Sequence, residues 1–223
     1  MTQLKVQETQ RKFYNKWLYK ISVRNSGAGI FRVLPLESIE DACNDFYAIR
    51  YHHYLKNPSE NTSLIKIAKV LLSVPKEAWA IRIESSTLDI YTNDKDFYNK
   101  IDNDLSNRVF RKYEPDPSKL DILNEHRHIA VKKLPHNKYR YKVYLRAHEL
   151  KGDIHAKAEL VKWLRTQEPR IKCTDATAQW FITTHWNWDR RYILVEDEAQ
   201  LLMLKMRCGN SVGSVYQYVV ADK

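Results

Sequence analysis

Cysteine is scarce in this chain, and its placement excludes more than its rarity does. Cys43, Cys173 and Cys208 are three, an odd number, and they lie far apart with no C-x-x-C pair among them. That spacing supports neither a zinc ribbon nor a disulfide framework, so reduced thiols in a cytoplasmic protein are the expectation. Long apolar runs are missing too. None approaches the roughly 20 residues that cross a bilayer, and residues 1–16 are polar with no signal-peptide core, so no membrane partner is expected. Glycine numbers five, and none falls in a Walker loop, a G-x-S-x-G or a G-x-G-x-x-G after a strand. H-E-x-x-H is absent as well, and no cofactor or metal is expected.

Negative charge is the other deficit. Asp and Glu total 27 against 37 Lys and Arg, a formal net charge of +10 with a pI near 9.4. Such an excess attracts polyanions, nucleic acid first, although an acidic protein would answer the same charge. With 43% hydrophobic residues the composition is that of a folded chain and not a disordered one.

Periodicity divides the sequence into a basic lead-in (1–15), an N-terminal unit (16–135) and a C-terminal unit (139–223), joined at Pro135-His136-Asn137-Lys138. The C-terminal unit reads as a strand at 139–146, a helix at 153–166 and a short strand at 170–173. An insertion at 174–190 with one helix follows, then a strand at 192–195, a helix at 198–206 and a strand at 215–220. That β-α-β-β-α-β order is the split βαβ, or ferredoxin-like, pattern.

The N-terminal unit offers a strand at 17–24, a short return strand at 30–34, and a helix from Pro35 to about Leu55. A break at 57–61 precedes a helix at 63–72. A hairpin at 79–84 and 87–91, a helix capped by Asn93 or Asp94, a loop at 114–124 and a closing strand at 129–134 complete it. The fold expected is α+β: two tandem ferredoxin-like (βαββαβ) units with antiparallel sheets and helical insertions. The likeness of 19–24 to 141–146, and of 90–94 to 193–197, supports a duplication.

In such a fold the helices cover one face of each sheet and leave the other open. Strand alternation puts Arg140, Lys142, Tyr144 and Arg146 on the open face of the C-terminal unit, with Tyr216 and Tyr218 from the last strand and Tyr192 beside them. The N-terminal unit offers Lys20, Arg24, Arg82 and Tyr91 for a similar face. Rings that stack on bases and cations that meet phosphates suit RNA or single-stranded DNA. Tyrosine is also a common strand former, and the RNP1 pattern of RNA-recognition motifs is absent.

Two other functions stay open at this point. His126, His128 and His136 cluster in sequence and could supply an acid or base for metal-independent RNA cleavage. Trp186 and Trp188, on the insertion, could dock a protein partner. Asp94, Glu196 and Asp197 lie at strand ends, where helix capping accounts for them.

The loop Gly209-Asn210-Ser211-Val212-Gly213, before the last strand of a tandem ferredoxin-like arrangement, resembles the CRISPR-RNA-processing endoribonucleases. The resemblance is architectural and carries no catalytic histidine onto this sequence, whose loop has only two glycines. Tyr91-Thr92-Asn93-Asp94 and the stretch 191–198 look like segments of uncharacterised bacteriophage or viral proteins, which implies a viral accessory factor.

Overall fold

The computed structural model describes residues 4–45, 53–55, 57–146, 149, 153–183 and 191–221. They form an α+β chain with two five-stranded sheets and seven α-helices, and it divides into two units, Met1–Ser118 and Lys119–Lys223.

The first unit opens with β1 (Val6–Thr9) and β2 (Tyr19–Arg24). In β2 the alternation foreseen is realised: Tyr19, Ile21 and Val23 are buried. The expected strand at 30–34 is instead a 3-10 helix at Ala28–Arg32. After it come α1 (Ile39–Asn44) and α2 (Pro58–Leu72). Residues 57–61 do not break a helix but start one. Asn57 accepts from the Ser59 N–H as N-cap, and Pro58 at the first position gives up a backbone donor that has no helical partner there anyway.

A hairpin of β3 (Trp79–Glu84) and β4 (Thr87–Thr92) leads to α3 (Lys95–Asp104) and β5 (Val109–Pro115). The sheet order is β1-β5-β2-β4-β3, antiparallel throughout except that β1 runs parallel to β5. α2 and α3 bury Ile67, Leu71, Phe97 and Ile101 against one face. The other side of α2 packs Leu64 and Ala68 with Ile39 of α1.

The second unit contains α4 (Leu120–Asn124), β6 (His128–Val131), β7 (Tyr141–Leu145), α5 (Ile154–Thr166), β8 (Ile171–Lys172) and α6 (Asp175–Thr183). After these come β9 (Tyr192–Val195), α7 (Glu198–Cys208) and β10 (Val212–Val220). Its sheet order is β6-β10-β7-β9-β8, again antiparallel except for the parallel pair β6 and β10. Val143, Leu160, Leu164, Phe181, Ile193 and Leu204 share one core, which puts α5, α6 and α7 with a single sheet face.

Both ends of the first unit differ from expectation. The strand expected to close the first unit, at 129–134, lies in the second sheet beside β10, and the first unit closes with β5. The lead-in expected at 1–15 contains the edge strand β1. With the edge strands β1 and β6 set aside, both sheets have their unit's strands in the order fourth, first, third, second. No helix among the described residues is long and apolar enough to cross a membrane.

Candidate nucleic-acid interface

Val143, Ile193, Val195 and Ile171 point to the helices, so their neighbours along the strands face outward. One row across the outer face of the second sheet is Tyr216, Lys142, Leu194 and Lys172, each paired with the next in register. Tyr144 and Tyr192 form the row beside it.

The rings of Tyr144 and Tyr192 meet edge to face with centroids 5.9 Å apart, and those of Tyr144 and Tyr216 at 5.8 Å. The Lys142 ammonium sits 3.8 Å from the centre of the Tyr192 ring and 5.2 Å from that of Tyr144. Among the described residues no carboxylate comes within 4.0 Å of it.

Gly213 makes room here. A Cβ on it would stand 2.9 Å from the Tyr144 carbonyl oxygen, so the bulge of β10 between Val212 and Val215 approaches β7 as only glycine allows. Arg140 and Arg146 are exposed at the two ends of β7, Arg146 with Glu149 at 3.8 Å. Tyr218 lies beyond Tyr216 on β10, opposite Ile129 of β6.

The outer face of the first sheet is built differently. The Lys20 ammonium is 2.7 Å from Asp89 Oδ2, with the two side chains 17% and 9% exposed. Ser22 donates to Oδ1 at 2.5 Å and Tyr91 to Oδ2 at 3.2 Å. Phe13, Tyr91 and Tyr113 surround the same ammonium at 5.9, 5.7 and 5.2 Å.

Phe13 arrives on a tight turn whose next residues, Tyr14 and Asn15, have φ of 53° and 59°. Burial, with hydrogen bonding to Tyr14 and the charge of Asp89, pushes the Tyr91 phenol well above its ordinary range. Arg82 is paired with Glu84 and donates to the Tyr14 hydroxyl, while Arg24 lies 4.9 Å from the Phe110 ring centre. The cations foreseen on this sheet thus have partners from their own chain, and Tyr91 is buried.

Register makes the two faces comparable residue by residue. Lys20 is paired with Tyr113 and Tyr91, and Lys142 with Tyr216 and Leu194. Ser22 is paired with Asp89 where Tyr144 is paired with Tyr192. The aspartate that neutralises the first lysine is therefore a tyrosine in the second sheet. Five residues further along in this correspondence, both Asp94 and Asp197 cap the following helix, as expected, whereas Glu196 is ion-paired with Lys138 at 3.2 Å.

Among the described residues, His126, His128 and His136 do not form a three-ligand group. His126 is exposed before β6, His128 is half-buried on β6, and His136 is exposed in a turn where its Nε2 lies 3.1 Å from the Lys172 ammonium. No group of three potential metal ligands occurs among the described residues. Burial pushes the Cys173 thiol up to about 11 and that of Cys208 up to about 12, which removes both as thiolates at neutral pH.

Trp186 and Trp188 lie outside the described residues. Sequence reasoning missed Lys172, although alternation between Ile171 and Cys173 would have turned it outward. No family model, no curated protein and no solved structure matches the chain.

Proposed function

We propose that the chain is a tandem of two ferredoxin-like units, and that the outer face of the second binds single-stranded nucleic acid, RNA or DNA, as a non-enzymatic accessory factor. The fourth-first-third-second strand order in both sheets supports the first part. The observation that carries the second is Lys142, an ammonium set against tyrosine rings where the matching lysine of the first sheet has an aspartate.

A phosphate supplies the missing counter-charge, and the rings of Tyr144, Tyr192 and Tyr216 offer faces to unstacked bases. Arg140 and Arg146 extend the positive field beyond the row. The net charge of +10 brings the polyanion to the protein, and Lys20, Arg24 and Arg82 act through that field and not as direct contacts.

Fluorescence polarisation with a labelled single-stranded RNA and its DNA counterpart, across a salt series, tests this. Binding should weaken linearly in log–log form with added salt. Tyr144→Ala should cost about 1–3 kcal/mol, the worth of one stacked base. Absence of binding at low salt, or a Tyr144→Ala protein that binds as the parent does, would overturn the reading.

A further inference from the structure

We infer that Lys172, positioned by His136, forms a second phosphate subsite on this face, so that a single strand crosses β10, β7, β9 and β8 instead of running along them. The inference rests on the outer face being a nucleic-acid surface.

Lys142 and Lys172 flank the same residue, Leu194, in register, and so project from one face on alternate strands, roughly 10 Å apart at two strand spacings. Leu194 is buried although it faces away from the helical core, so the floor between the two lysines is apolar and their ammonium groups mark its sides.

Charge pairing separates these two lysines from others on or beside the strands. Lys20 is paired with Asp89, Lys112 with Asp102, Lys95 with Glu114 and Lys138 with Glu196. For Lys142 and Lys172 no carboxylate stands within 4.0 Å among the described residues. The one polar contact of the Lys172 ammonium there is the His136 imidazole at 3.1 Å, which accepts a hydrogen bond without cancelling the charge.

His136 is itself fixed in place. It and Asn137 have left-handed backbones, φ 52° and 61°, inside a turn closed by backbone hydrogen bonds from Asn137 to Leu134 and from Tyr139 to Pro135. Its ring meets that of buried Tyr139 edge to face at 5.7 Å, and the Tyr139 hydroxyl is anchored on the Pro169 carbonyl at 2.9 Å. A lysine held at the rim of an aromatic face by an imidazole that leaves its charge intact is suited to a phosphodiester group. The ligand is then a single strand of at least two phosphates, with bases on the tyrosines and backbone along Lys142 and Lys172.

The test counts phosphates. The salt dependence of binding of a labelled single-stranded RNA is measured for the parent, for Lys172→Gln and for Lys162→Gln, a control on the exposed side of α5. Lys172→Gln should lower the magnitude of the log–log slope by about 0.7, one phosphate's share on a single strand, and Lys162→Gln should leave it unchanged. In parallel, the His136 ring resonance should shift during oligonucleotide titration with the same half-saturation as the polarisation signal.

A parent that binds, with the slope unchanged in Lys172→Gln or lowered equally in Lys162→Gln, overturns the subsite and leaves the tyrosine face standing. An unmoved His136 resonance at saturation does the same. A parent that fails to bind removes both.

Discussion

Asp89 and Tyr192 occupy the same register position in their two sheets, opposite the fourth residue of β2 and of β7, and the neighbouring lysine is ion-paired in the first case and set against a ring in the second. With Asp89, the ammonium of Lys20 is satisfied within the chain; with Tyr192, the ammonium of Lys142 lies against a ring and keeps its charge.

Tyr192→Asp should therefore convert the second face to the condition of the first. The substitution would neutralise Lys142 and remove a stacking ring together, lowering affinity for single-stranded RNA at least about fivefold at low salt, the lower end of the roughly 1–3 kcal/mol of one ring alone. Tyr192→Phe, which keeps the ring, should bind within about twofold of the parent. Polarisation titrations of the two variants side by side make the comparison.

Asp89→Asn probes the first face by stability and not by binding. It strands a mostly buried lysine and weakens the bonds from Ser22 and Tyr91. Breaking a fully buried pair costs roughly 3–5 kcal/mol; the partial exposure of Lys20 lowers the expectation to about 2 kcal/mol. Urea unfolding with a lower midpoint and an unchanged slope would bear this out, and no change in midpoint would sink it.

The helix caps give an independent check on the correspondence of the units. Asp94 accepts from the N–H groups of Asp96 and Phe97, and Asp197 from that of Gln200. Replacing either with alanine should cost about 1 kcal/mol, with Asp94→Ala the more costly of the two. Chemical denaturation of the two variants reads this directly.

Alkaline pH should loosen the fold. Cys173 and Cys208 hold their protons in the folded chain up to about 11 and about 12, against an ordinary thiol value of 9.0. Between those values the unfolded chain has lost protons that the folded chain keeps, so unfolding releases protons and stability falls as pH rises. Below pH 9 these thiols contribute no slope. Tyr91 and Tyr98, raised chiefly by burial from 10.0, add to the loss in the same direction. Urea midpoints from pH 8 to 11 should decline above about 9, and a flat profile would show that the thiols are not held protonated.

Much of the second unit was legible in the sequence because period and burial agree there. Residues 192–195 form the strand expected, Asp153 caps α5, and Tyr144, Tyr192 and Tyr216 share the outward face that alternation assigned. The first unit was harder for a physical reason. β5 has a bulge opposite Ser22 and Val23, and it carries Lys112 at a core-facing position, paired with Asp102, so its alternation is broken twice.

The strand His128–Val131 follows the first unit in sequence but bonds to β10, and no local pattern announces a parallel partner that far along the chain. Asp89 did leave a signal. An acidic residue at an outward strand position, opposite a serine and beside a lysine, is unfavourable unless something pairs with it.

The parallel edge pair of the first unit sets a condition on how the chain is made. Val6 lies beside Lys112, so β1 has no place in the sheet until β5, the last strand of its unit, has been made. At ordinary rates of synthesis that wait is on the order of 10 s. A strand that must wait in water is better polar than sticky, and Val6-Gln7-Glu8-Thr9 is largely polar. The edge that completes the sheet is thus also a segment little prone to bind a neighbour before its partner arrives.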